Sequence, residues 1–303
     1  MTIQQLREFM AVVSEGSLRA AARSLGTAQP ALSRSIKALE QSLQATLLLR
    51  TTRGISLTPA GQELHARARV LLRDVERTQA AVSALGSADD GAVSFGLSTA
   101  PMLVLLPQVI REFRSRRPGV RLHFGTGLAS TLLPAVRQGK LDFAVVPVRD
   151  LEELAGLEAT RVADSAPVVV CRRNHPLAGV GRIQDLAECE WIAIEPGPDV
   201  MHRTDSVTDS FTAHGLGLPR VAMSTDSVLN CLPLIAATDL LAALPSMVVG
   251  ERLMGDSLVQ VPIVEALPSY GIYVVRRADA IAHGSAAELA GMFISLSRAK
   301  GLR

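Results

Sequence analysis

The chain has 303 residues, 48% of them hydrophobic, enough to bury more than one core and therefore to form two domains with a small third module. Its 31 basic and 29 acidic side chains leave a net charge of only +2, which excludes a polybasic nucleic-acid coat, an acidic tail and a disordered chain. Charges or Pro/Gly interrupt every apolar stretch well before the about 18 residues of a membrane span, and Arg7 and Glu8 fall where a secretory leader needs an unbroken apolar core.

The charge is unevenly spread. Residues 1–58 hold seven Lys/Arg against three acids, an excess of +4, and the rest of the chain is slightly negative. A small basic module on a near-neutral body is the layout of a DNA-reading head, or of a three-helix structural module with a solvated basic face. Leu6, Phe9, Met10 and Val13 have the spacing of a buried helix face, which Gly16 ends. Ser17 is a good N-cap for the next helix, LRAAARSL, whose alanines allow close packing. A third helix begins at Gln29-Pro30, proline being tolerated in a first turn, and buries Leu32, Ile36, Leu39 and Leu43. Its opposite face shows Gln29, Pro30, Ser33, Arg34 and Lys37, with the amide, hydroxyl and cations that contact phosphates and base edges in a major groove. Helix, short helix, glycine turn and polar-faced helix make a helix-turn-helix. RTTRGISLT then reads as a β-hairpin turning at Gly54, with Arg50, Thr51 and Arg53 placed as a wing on the DNA backbone or in a minor groove.

From Leu6 to about Leu64 these motifs occur without a gap and in order: A-A-x-x-L, Q-P-A-L-S, I-x-x-L-E, R-T-x-R-G and L-T-x-x-G. The segment resembles the N-terminal domain of LysR-type transcriptional regulators, and within them the regulators of aromatic sulfonate and carboxylate catabolism. Gln44 stands where that family commonly has glycine, and Leu48 where it has phenylalanine. Both positions bear on the geometry of the wing. The resemblance implies a winged helix-turn-helix domain, a dimerising linker helix and a two-lobed effector domain like the periplasmic binding proteins (type 2). It also implies a homotetramer on double-stranded promoter DNA, contact with RNA polymerase, no membrane association and no enzymatic activity.

Pro59 starts a long helix that Gly86-Ser87 ends. Leu64, Ala68, Leu71, Val75, Thr78, Val82 and Leu85 alternate spacings of four and three, a seam sustained over three heptads. Such a helix, about 40 Å long, has nothing of its own to cover the seam, so self-association is expected. Residues 59–90 are therefore the linker helix and hinge, between the head at 1–58 and the effector-binding domain at 91–303.

In that last domain strands and helices alternate: strands at 92–98, 120–126 and 142–148, then at 166–171, 191–196, 220–224 and 240–245, and finally 272–277 before a closing helix near 284–299. The α/β alternation predicts open parallel sheets flanked by helices. Two lobes follow, the first about 91–163 with 269–303, the second about 164–268. Ligands of such sheets sit beyond the carboxyl ends of the strands, against helix N-termini. Ser98, Thr99, Ala100, Thr126, Gly127 and Pro147 lie at those ends, and Met201 and His202 are placed to close the cleft from the second lobe. Hydroxyls and free N–H groups at helix starts favour a small anionic ligand, a carboxylate, sulfonate or phosphate, without a dedicated cation.

Competing chemistry is thin. The six histidines lack H-x-x-x-H or carboxylate-linked spacing, and Cys171, Cys189 and Cys231, odd in number and far apart, give neither a disulfide framework nor a zinc set. The cytoplasm is the expected compartment, with no catalytic residues, metal or cofactor. Cys171 and His175 are four apart but straddle a strand end. The alternative in another class is a cytoplasmic small-molecule-binding α/β protein or enzyme whose basic head serves oligomerisation alone.

Overall fold

The computed structural model describes residues 1–51, 54–84, 91–194, 206–249, 256–278 and 284–301. It forms two compact units, the first Met1–Ala88 with Gln138–Lys140, the second the remainder.

In the first unit, α1 (Ile3–Glu15) starts in a reciprocal cap. The Thr2 hydroxyl accepts from the Gln5 amide at 3.2 Å, and the Gln5 side chain accepts from the Thr2 amide at 2.8 Å. Gly16 ends the helix at φ +67°, a conformation that favours glycine. Ser17 caps α2 (Leu18–Ser24) through the Ala20 amide at 3.1 Å, and α3 runs from Gln29 to Leu43. The buried stripe of α1 is Leu6, Phe9 and Val12, shifted one position from expectation, with Met10 and Val13 half-buried. Leu43 of α3 is 36% exposed, so the helix outruns the core and its last turn leaves Leu43 outside. Phe9, Val12, Ala21, Ala22, Leu32, Ile36, Leu39 and Leu47 pack together.

At Gln44 the backbone takes φ +50°, the left-handed turn that glycine fills without strain. The following segment is held by Glu40, whose Oε1 accepts from the amides of Leu47 at 2.8 Å and Leu48 at 3.3 Å. The wing, β1 (Leu48–Thr51) and β2 (Gly54–Leu57), is an antiparallel hairpin tied to the α1–α2 turn by the Ile55 amide donating to Gly16 O at 3.1 Å. Thr58 then caps α4 (Pro59–Ala84), accepting from the Gly61 amide at 2.9 Å. Gly61 packs so tightly that a Cβ there would lie 2.1 Å from Leu47 O. The L-T-x-x-G motif is thus a joint in which threonine turns the chain and glycine admits the strand backbone. With 26 residues, α4 is about 39 Å long; Ala68 is buried, Leu64 packs on the head core, and Leu71 is 45% exposed.

In the second unit, five strands are ordered β4-β3-β5-β12-β6: β3 (Ala92–Leu97), β4 (Arg121–Thr126), β5 (Phe143–Val148), β6 (Leu157–Ser165) and β12 (Tyr270–Arg277). β3 pairs in parallel with β4 and β5, but β12 is antiparallel to both β5 and β6. The all-parallel expectation fails for a topological reason. β6 leads out of this sheet and β12 leads back in, so as neighbours they must run in opposite directions. Helices α5 (Thr99–Val104), α6 (Leu106–Arg116), α7 (Ala129–Arg137) and α11 (Ser285–Ala299) flank the sheet. Phe95 stacks on Phe143 at 5.2 Å, with Phe293 against both, while Leu132, Leu133 and Val136 of α7 cover the other face.

The second lobe is also mixed. β7 (Pro167–Arg172) lies between β10 (Ala242–Pro245) and β11 (Leu258–Gln260), antiparallel to both, and β8 (Glu190–Ile194) runs parallel to β9 (Arg220–Thr225). Helices α8 (Ser206–Ala213) and α9 (Val228–Ala237) pack here, Phe211 of α8 meeting Trp191 edge to face at 5.7 Å. Four-residue α10 (Ser246–Val249) follows β10.

Candidate functional site

On α3, Gln29, Pro30, Arg34 and Lys37 are exposed, and Ser33 is half-buried beside them. Residues 29, 33 and 37 are spaced by four, as are 30 and 34, so all five share one side of the helix opposite Leu32, Ile36 and Leu39. Arg34 and Lys37 form no ion pair among the described residues, so their charge faces outward unneutralised. The N-cap of α3 is Ala28, which has no side-chain oxygen; Pro30 has no N–H, and the Ala31 and Leu32 amides both donate to Ala28 O at 3.0 and 3.1 Å, so the Gln29 amide is the first-turn donor with no partner among the described residues. Ser35, one step round the helix, donates its hydroxyl to the Glu8 carboxylate, fixing α3 on α1. Of the wing residues, the side chains of Arg50 and Thr51, and all of Arg53, lie outside the described residues.

In the second unit, a cavity of about 560 Å³ opens between the two lobes, where β3, β4, β5, β9 and β12 end or begin. Ser98, Thr99, Ala100, Thr126, Gly127 and Pro147 all line it. Met201 and His202 lie outside the described residues. Ser206 and Val207 of α8 line this cleft as well, and three helices start at it: α5 at Thr99, α7 at Ala129 and α9 at Val228. Their N-terminal partial charges favour an anion. Ser98 and Ser227 occupy N-cap positions, yet neither side chain makes the cap hydrogen bond, so both hydroxyls are available to a ligand. Ser98 is 93% buried and is held by its amide, which donates to Val145 O at 2.9 Å. Ile192, Ile194, Val228 and Ile272 supply apolar wall, and Glu153 and Asp226 line the cleft as well.

A cation is present after all. Arg149, just beyond β5, lines the cleft and donates to Asp209 Oδ2 at 3.2 Å and to the Ser206 hydroxyl, both on α8. Its guanidinium lies 5.7 Å from the centre of the Tyr270 ring. Ser206 in turn donates to Pro268 O at 3.0 Å. Burial pushes the Tyr270 phenol above its ordinary pKa, partly offset by the neighbouring Ser165 hydroxyl and by Arg149. The sequence signal was Arg149 itself, two residues past Pro147 at a strand's carboxyl end, but its partners on α8 are distant in the chain.

Cys171 is fully buried, and burial raises its thiol pKa, the reverse of what a nucleophile needs. His175 is engaged in a turn, Nδ1 accepting from the Leu177 amide at 3.0 Å and Nε2 lying 3.2 Å from Asp239 O. No cluster of three or more potential metal ligands occurs among the described residues. No helix among them is long and apolar enough to cross a membrane.

Comparison with known proteins bears on the whole chain. Residues 3–62 match the profile of the bacterial regulatory helix-turn-helix protein, lysR family, and residues 86–295 match the LysR substrate binding domain. The chain belongs to the LysR family. It is a DNA-binding transcriptional regulator with a helix-turn-helix head and a two-lobed effector domain, and not an enzyme, which sets aside a head serving oligomerisation alone. Among curated relatives, the SDS degradation transcriptional activation protein of Pseudomonas sp. is 30% identical over 300 residues, covering 96% of this chain and 95% of that one. The regulator TdcA of Escherichia coli (strain K12) is 26% identical over 265 residues, 88% of this chain and 83% of that one. Full-length CbnR, solved with its target DNA, shares the fold with a TM-score of 0.68 at 22% identity, covering 98% of this chain and 100% of that one.

Proposed function

We propose that this LysR regulator reads promoter DNA with Gln29, Pro30, Ser33, Arg34 and Lys37 of α3, and that Arg50, Thr51 and Arg53 of the wing touch the adjacent backbone. The functional modules are 1–58, 59–90 and 91–303, acting in the cytoplasm. Two chains join through the α4 seam, whose Leu71 lies exposed in the single chain, and pairs of dimers form the tetramer on DNA that meets RNA polymerase. A small anionic metabolite binds between the lobes at Ser98, Thr99, Ala100, Thr126, Gly127 and Pro147, with Met201 and His202 closing over it, and alters the spacing of the heads.

The observation that carries the effector assignment is the cleft itself: about 560 Å³, three helix starts, and the hydroxyls of Ser98 and Ser227, which make no cap hydrogen bond. A thermal-shift screen of small carboxylates and sulfonates tests it, since a ligand of the native state raises the unfolding midpoint. A true effector raises the midpoint of the wild-type chain more than that of Ser98→Ala; equal shifts in both would refute the site. For the head, a gel shift with upstream intergenic DNA at two salt concentrations must show affinity that falls as salt rises.

A further inference from the structure

We propose that Arg149 is the anion-receiving group of the cleft and that Asp209 occupies it until effector arrives. An anionic effector then binds by replacing the Asp209 carboxylate on the guanidinium, loosening the hold of Arg149 on α8 at the end of β5. This inference rests on the cleft being the effector site.

Three observations carry it. First, Arg149 joins the two lobes within one unit: it follows β5 of the five-stranded sheet, and two of its acceptors, Asp209 and Ser206, lie on α8 of the other lobe. Second, the ion pair is replaceable. Its side chains are 35% and 32% exposed and Asp209 is held through one oxygen at 3.2 Å, so it belongs with half-solvated pairs rather than buried ones. A carboxylate or sulfonate on a ligand can meet guanidinium with two parallel hydrogen bonds where Asp209 makes one. Third, the surroundings suit an anion with an apolar body. The Tyr270 ring lies against the guanidinium, while Pro147, Ile192 and Ile272 line the space beyond it. The three helix starts add a field of the same sign as Arg149, so the exchange swaps an internal carboxylate for an external one.

The exchange has a built-in reporter. α8 contacts the chain's single tryptophan, Trp191, through Phe211 at 5.7 Å, so loosening of α8 changes the surroundings of the indole.

The test uses the full chain, with benzoate and benzenesulfonate as probes and benzamide as the neutral isostere, read by unfolding midpoint and Trp191 fluorescence. In the wild type both anions raise the midpoint and change the fluorescence, and benzamide does neither. Asp209→Asn binds the anions about fivefold more tightly, the equivalent of about 1 kcal/mol for the lost competitor. Arg149→Gln loses the anion response by at least about tenfold, and Arg149→Lys, which keeps charge without the planar fork, falls between. Should Arg149→Gln fail to fold, the Arg149→Lys and Asp209→Asn pair still decides by opposite signs. Binding unchanged or weakened in Asp209→Asn overturns the exchange. A response lost in Ser98→Ala but intact in both Arg149 variants overturns the role of Arg149 and leaves the cleft standing. Absence of any response beyond that of benzamide, in the wild type and all variants, removes both readings.

Discussion

In the head, the groups offered to a partner stand on one helix: Gln29, Arg34 and Lys37 are set by the pitch of α3 and held by a core directly beneath them. In the effector unit, Ser98, Thr126, Arg149 and Ser206 come from four elements and meet between the two lobes. A helix face is fixed by local geometry, so its spacing survives as long as the helix is seated. A cleft is fixed by topology, so its composition depends on strand order and on how the lobes stand. The first arrangement suits a rigid object such as a DNA groove; the second suits a ligand whose binding must be felt elsewhere.

If the head is a seated rigid reader, the largest effects should come from its seating rather than from its reading face. Gly61→Ala places a methyl 2.1 Å from Leu47 O, where backbone must give way, and should cost about 3 kcal/mol in chemical denaturation together with loss of DNA binding. A neutral result would mean that the joint between wing and α4 is pliable. Glu40→Ala strands the amides of Leu47 and Leu48 and should cost about 2 kcal/mol, with Glu40→Gln recovering part of it; equal losses in both would show that the carboxylate's hydrogen bonds are not what matters. On the reading face, Lys37→Ala and Arg34→Ala should each weaken promoter binding about tenfold. If each contacts a phosphate, the salt slope should also drop by about one counterion, and wild-type affinity in both at matched salt would remove α3 as the reading helix. Gln44→Gly should stabilise the head by about 1 kcal/mol, relieving a left-handed backbone at a non-glycine residue; a destabilised protein would show that the glutamine side chain offsets that strain. The smallest effect should come from Ser98→Ala, costing effector affinity about fivefold, because its hydroxyl is one neutral contact among several in the cleft.

Legibility followed the same divide. The polar positions of α3 could be read from spacing alone, and so could Gly16 and Ser17 as helix punctuation. The strand-end residues of the cleft were also legible, because an α/β alternation fixes which ends face a ligand. What escaped depended on partners far off in sequence. β6, with Glu158, Arg161 and Asp164, lacks an apolar run because it is the edge of its sheet, and it showed no strand signal. The antiparallel insertion of β12 between β5 and β6 cannot be inferred from the local pattern of any of the three. Glu40 belonged to a visible motif, yet its task, seven residues from Leu47, emerged only with the turn formed.

The pairing of β6 with β12 has a mechanical consequence. The strand leaving the first lobe and the strand returning to it are zipped from Leu157↔Arg277 to Ser165↔Tyr270, so both tethers leave one ribbon at the same edge. Two widely separated tethers would brace the second lobe at both sides; two adjacent ones leave it free to rotate about the ribbon, like a cover turning on its spine. Arg149 stands beside that spine, one residue past the Val148↔Gly271 pair and against Tyr270, so a change in what it grips acts at the axis itself.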